Sequence, residues 1–161
     1  MKNRRIAIFS IILLIVISSV LTPPGGYSFL TPNLAITGII YWIIKKESPL
    51  NNYHFLSLGL LNDLFMGTPL GSSSLFYFFV KESIFIMNAR LKKKGLFFDL
   101  IKYIFGLTVY FCFTYIFIIL YFANYPSINY FLMSYLLTLF IFPIIYIIFN
   151  WIERKMIQDQ V

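Results

Sequence analysis

The chain has 161 residues, of which 60% are apolar and 12% charged, with a mean hydropathy of +0.82. A soluble domain carries about 25% charged and about 45–50% apolar residues. A chain this poor in polar groups cannot cover a water-facing surface, and a soluble enzyme of ordinary architecture is excluded. The same apolar content excludes disorder. The formal charge of +7 would point to nucleic acid in a soluble protein. In an integral membrane protein no nucleic-acid partner is expected, and the positions of the charges matter more than their sum.

Six apolar stretches follow one another along a single transmembrane domain covering residues 1–161: Ile6–Leu21, Leu30–Ile44, Tyr53–Gly67, Leu70–Ala89, Leu100–Phe122 and Tyr130–Ile152. The longest intervening piece is ten residues, so no soluble catalytic domain fits between them. Lys2, Arg4 and Arg5 precede the first stretch, and no Ala-x-Ala cleavage pattern follows it. It therefore reads as a retained first helix rather than a signal peptide. Pro23-Pro24-Gly25-Gly26 marks a turn before the second stretch, and Lys45 and Lys46 close that stretch. Arg90, Lys92, Lys93, Lys94 and Lys102 lie at the fourth-to-fifth connection, and Arg154 and Lys155 follow the sixth. The alternate connections carry no charge, so twelve of thirteen basic residues fall on one side. By the positive-inside rule that side is cytoplasmic. The expected fold is an all-α integral membrane protein with six transmembrane helices and both termini in the cytoplasm.

The second and third stretches are short. Fifteen residues rise only ~22 Å, less than a ~30 Å hydrocarbon core. Snorkelling of Lys45 and Lys46, local thinning or burial in protein would cover the deficit. Residues 53–89 can alternatively be drawn as a re-entrant hairpin, with full crossing preferred because the fourth stretch has the length to span.

Three ionisable residues fall inside apolar stretches: Asp63, Lys81 and Glu82. Charges at that depth cost roughly 2.5–3.5 kcal/mol each on insertion scales, so they should face protein or water. Gly59, Asp63 and Gly67 recur at i, i+4 and i+8 and share one helix stripe. Glycines flanking a carboxylate let another backbone approach, and that backbone or its hydroxyls can satisfy the acid. The stripe reads as a packing face with a polar pin; the alternative is a proton or cation relay. Ser73, Tyr77 and Lys81 share a face of the fourth helix, where Lys81 either reaches Asp63 or snorkels beside Glu82.

No nucleophile–base–orienter set is present, so no catalytic residue is assigned. His54 is nine positions from Asp63 and on the opposite face. The single cysteine, Cys112, and single histidine leave no metal site, and no cofactor is expected. Trp42 and Trp151 are expected in the headgroup zone. The Arg90–Lys94 loop is expected to anchor topology, with contact to anionic lipid or to an acidic protein face as the alternative.

Pro32-Asn33 opening a helix, Tyr41-Trp42 closing it, Pro49, and then Gly59-Leu-Leu-x-Asp63-x-x-x-Gly67-Thr-Pro-Leu70-Gly71 together resemble the rod shape-determining MreD family. The motif covers Pro32–Gly71, and the likeness extends to the whole chain by size, helix pattern and basic ends. The resemblance implies a multi-pass protein of the bacterial inner membrane, with a fold similar to the substrate-binding subunits of energy-coupling-factor transporters. It implies a non-enzymatic scaffold or regulator of the cell-elongation complex that makes peptidoglycan and maintains rod shape. Its implied partners are MreC, then MreB, RodA and its transpeptidase partner, with the lipid bilayer around them. The close-packed third and fourth helices are expected to present a groove to a partner helix. The rival expectation is a small-solute or lipid transport subunit, with an internal polar cavity involving Asp63, Tyr77 and Lys81.

Overall fold

The computed structural model describes residues 2–21, 31–45, 50–91, 95–123 and 126–158. Regular structure among them is helical throughout: α1 (Lys2–Leu21), α2 (Leu34–Ile44), α3 (Asn52–Met66), α4 (Ser72–Arg90), α5 (Leu96–Phe122) and α6 (Ile128–Gln158). The all-α class and the count of six helices match the sequence expectation. The turn at Pro23–Gly26, Lys46, Pro49 and Lys92–Lys94 lie outside the described residues.

Three helices are long and apolar enough to cross a membrane, at Arg4–Leu21, Leu96–Phe122 and Ile128–Glu153. α4 has 19 residues, but a serine run at its start and the pair Lys81-Glu82 in its middle keep it out of this set. Pro143 lies inside α6 without ending it, as transmembrane helices tolerate where neighbours re-satisfy the backbone.

The short second helix has a simple cause. α2 is apolar on every side, and all 11 of its residues are buried, the signature of a helix enclosed by protein. It runs through the middle of the bundle against α1, α4, α5 and α6. Enclosure of this kind removes any need to match a bilayer thickness, so neither thinning nor snorkelling is required to explain its length. Around it the packing runs α1 to α3, α3 to α4, α4 to α5 and α5 to α6. The core at this axis includes Ile36, Ile39, Ile40, Tyr77, Ile84, Tyr103 and Leu107, all essentially inaccessible. Tyr103 stacks on Phe142 with ring centroids 3.8 Å apart.

The outer surface is apolar. Phe9, Val20, Leu120 and Phe140 are each 70% exposed or more, an arrangement that water would penalise and a bilayer would not. Apolar grooves of about 780 and 480 Å³ lie between α1 and α6 and between α5 and α6. α3 and α4 are in direct backbone contact, and the described apolar grooves flank α6.

Charge collects at one end of the bundle. There Lys45 pairs with Glu153 at 2.9 Å, and the Tyr146 hydroxyl donates to Asp99 at 2.9 Å. The opposite end contains the starts of α2, α4 and α6. Among the described residues its one charged side chain is Asp63.

Candidate functional site

α3 ends at Met66 because Gly67 takes a left-handed conformation, φ 67°, and its N–H closes back on the Asp63 carbonyl. Glycine adopts this geometry without steric penalty. Thr68 and Pro69 carry the chain over, and α4 begins after Gly71 at φ 93°. A glycine N-cap has no side chain to accept from the first free amides of the helix. Asp63 supplies that acceptor from the neighbouring helix. Its Oδ2 accepts from Gly71 N–H at 2.7 Å and its Oδ1 from Ser73 N–H at 3.1 Å. Thr68 and Ser72 hydroxyls donate to Oδ1 at 2.7 and 3.2 Å.

A carboxylate at a helix N-terminus is favoured by the backbone dipoles as well as by these bonds. Asp63 is 1% exposed, and both its oxygens are occupied within the hairpin. Lys81 does not reach it. The lysine donates to Asn52 Oδ1 at 2.7 Å and pairs with Glu82 at 2.9 Å, of the two expectations the one beside Glu82.

Below this cap the two helices touch. A Cβ built on Gly59 would collide with the backbone of Ser74. The Ser74 hydroxyl donates to the Leu56 carbonyl at 2.9 Å, and Asn62 Nδ2 donates to Ser73 Oγ at 2.9 Å. The serine run of α4, unremarked in the sequence beyond Ser73, therefore zips the hairpin together. The three-residue stripe needs a correction. Gly59 and Asp63 face α4, but Gly67 lies past the helix end and a Cβ there would meet nothing within 4 Å. Its role is conformational. Gly71 serves likewise, and Leu70 is 70% exposed on the turn.

The other motif residues form two further clusters on α2. At its start Asn33 caps the helix, accepting from Ile36 N–H at 3.2 Å, and its Nδ2 donates to the Tyr110 hydroxyl at 2.9 Å. Asn33 N–H donates to Thr138 Oγ1 at 3.0 Å, so α2, α5 and α6 are tied together beside Pro32. At its other end the Tyr41 hydroxyl donates to Glu153 at 3.2 Å, and Lys45 lies 5.1 Å from the Tyr41 ring. Trp42 is 4% exposed, and its indole N–H donates to Ser10 at 3.0 Å. Its expected place in the headgroup zone is thus corrected: it is a core residue joining α2 to α1. Trp151, 62% exposed with Lys155 5.1 Å from its ring, has the exposure expected of such a residue. His54 accepts from Asn51 N–H at 2.9 Å at the start of α3.

A polar cavity of about 400 Å³ opens at the Asp63 end, among the end of α1, the entry to α2, the α3–α4 turn, and parts of α5 and α6. Its lining includes Ser18, Asn33, Asn62, Tyr110, Thr114 and Ser134, with Phe76 and Phe117 as apolar walls. Asp63, Tyr77 and Lys81, the trio invoked for a transport cavity, do not line it. Asn62, beside the motif acid, was missed because the pattern treats that position as variable. Among the described residues no group of three His, Cys, Asp or Glu side chains is placed to hold a metal. Comparison with known proteins returns no matching family model, no matching curated protein and no matching solved structure.

Proposed function

We propose that the chain is a non-enzymatic membrane scaffold of the MreD type, crossing the bacterial inner membrane six times with both termini in the cytoplasm. In this reading it holds the transmembrane helix of MreC and, through it, helps regulate the wall-synthesis machinery of MreB, RodA and the RodA transpeptidase partner. The observation that carries the reading is the state of Asp63. An intramembrane acid that serves as a proton or cation relay needs an oxygen free to exchange its partner. Here both oxygens hold the start of α4, so the acid shapes a surface.

The segregation of charge supports the proposed orientation. Lys45, Glu153, Asp99 and the basic start of α1 lie at the end assigned to the cytoplasm. The Gly59 face is taken up within the chain, so partner contact falls to the outer faces of the pair, where Leu56, Leu64 and Phe65 are exposed.

Depletion of the protein in its native bacterium tests this. Rounded cells with mislocalised wall synthesis are expected. Normal rods with defective uptake of a solute would reject the scaffold in favour of the transport reading.

A further inference from the structure

α1 and α6 both pack on α2, and the apolar groove of about 780 Å³ lies between them. Its α1 wall runs from Arg5 to Ile17, and its α6 wall runs from Ile152 back to Ile145. Among the described residues lining it, Ser10 is the one uncharged polar side chain. That hydroxyl is already used, donating to the Ala7 carbonyl at 2.8 Å and accepting from the Trp42 indole at 3.0 Å. The groove therefore offers hydrocarbon along its length and an arginine at one end.

The arginine has no counter-charge within the chain. Arg5 is exposed, and the ion pairs among the described residues, Lys45–Glu153 and Lys81–Glu82, do not include it. Glu153 follows Ile152 on the α6 wall, but Lys45 and the Tyr41 hydroxyl already hold it. Arg4 on α1 and Lys155 on α6 add positive charge at the same end. Trp151, 62% exposed beside Ile152, has the exposure of a headgroup-level anchor, which places this basic end at the membrane surface.

The dimensions select the occupant. The twelve steps from Arg5 to Ile17 rise ~18 Å, slightly more than half of a ~30 Å hydrocarbon core. Measured from its basic end, the groove is one leaflet deep. Spread over that length, 780 Å³ gives a mean cross-section of ~43 Å². An α-helix with its side chains, about 10–12 Å across, occupies about 80–110 Å² and cannot enter whole. Slim hydrocarbon chains can. An occupant with chains one leaflet long and a polar end at an unpaired arginine is a phospholipid. Arginine binds phosphate oxygens through two parallel N–H bonds, and basic pockets between transmembrane helices take anionic headgroups. A zwitterionic lipid brings its own cation to Arg5 and gains less.

We propose that the α1–α6 groove is a binding site for an anionic phospholipid, its phosphate at Arg5 and its acyl chains along Phe9, Leu13 and Ile148. The site rests on placement of the chain in a bilayer and not on protein partners, so its failure leaves the scaffold reading standing.

The test reconstitutes the full chain in nanodiscs of equimolar phosphatidylethanolamine and phosphatidylglycerol. Lipid that stays on the protein after release into detergent is identified by its mass in native mass spectrometry. Phosphatidylglycerol should be retained at least about tenfold over phosphatidylethanolamine. Titrated into delipidated protein, it should raise the thermal unfolding midpoint saturably, since a ligand that prefers the native state stabilises it by mass action. Glycerophosphoglycerol, the same headgroup without chains, should do nothing, which separates a lipid from a free phosphate.

Arg5→Gln keeps much of the stem and removes the charge. It should weaken phosphatidylglycerol binding about fivefold or more, the worth of one basic side chain at an anionic surface. Arg90→Gln removes a charge from the end of α4, outside the groove, and should leave binding unchanged. Leu13→Trp should fill the groove and abolish retention; Leu13 is 47% exposed, so the fold accommodates the larger ring. Equal retention of the two lipids, binding of the bare headgroup, a loss in Arg90→Gln as large as in Arg5→Gln, or full binding by Leu13→Trp would each overturn the proposal. So would a dimer that Leu13→Trp dissociates, which would assign the groove to a second copy of the chain.

Discussion

Replacing Asp63 measures what the hairpin is worth. In Asp63→Leu the hydroxyls of Thr68 and Ser72 can rotate toward other acceptors, but the N–H groups of Gly71 and Ser73 cannot. Each orphaned buried donor costs ~1–3 kcal/mol, so the expected loss is about 2–6 kcal/mol, against a typical total stability of about 5–15 kcal/mol. Asp63→Asn retains one carbonyl oxygen. With that oxygen serving Thr68, Ser72 and Ser73, the new amide N–H₂ faces Gly71 N–H, donor against donor. One orphan then remains, and the loss is about half as large. Unfolding by dodecyl sulfate in mixed micelles, followed by circular dichroism, ranks the three proteins. A double-mutant cycle adds a second check. Thr68→Val should cost about 1 kcal/mol in the wild-type chain and almost nothing beside Asp63→Leu, because the two residues share one bond. An Asp63→Leu protein within about 1 kcal/mol of wild type, the ordinary size of a point-mutation effect, would refute the claim that this acid organises the hairpin.

The glycines should separate by what faces them. Gly59→Ala drives a methyl into the Ser74 backbone, which cannot step aside, and should cost about 1–3 kcal/mol or more. Gly38→Ala is crowded by the tip of Leu14, at 2.6 Å, with Ile11 and Phe149 at ordinary contact distance, and should cost distinctly less; the same micelle unfolding assay compares them, and equal losses would contradict the close approach of α3 and α4. Gly67→Ala should cost ~1–2 kcal/mol from its left-handed backbone alone, with Gly67→Asn recovering part of that loss because asparagine tolerates the conformation. A thermal midpoint unchanged in Gly67→Ala would show that the turn relaxes.

Much of this was legible in the chain because membranes simplify the code. Apolar runs and the placement of lysine and arginine yield six helices in order, and the helix ends observed differ from the expected ones by six residues at most, at the C-terminus of α6. What escaped is tertiary. Spacing by four places Gly59, Asp63 and Gly67 on one face only while the helix continues, and the left-handed backbone at Gly67 ends it first. Tryptophan near a charged segment suggests an interface, yet Trp42 stays inside because Ser10 offers its N–H a partner. The depth of α2 was hidden too, since a fifteen-residue apolar run reads alike whether lipid or protein surrounds it.

Asn62 and Asp63 illustrate why function is harder to read than fold. They are adjacent, similar in size, and turned about 100° apart on α3. The acid meets the start of α4, where two backbone amides and two hydroxyls complete it. The amide meets one serine through its nitrogen, while its buried oxygen has no partner among the described residues. In the sequence the two residues carry equal weight, and only the neighbouring helix shows that the cap of α4 depends on the acid and not on the amide.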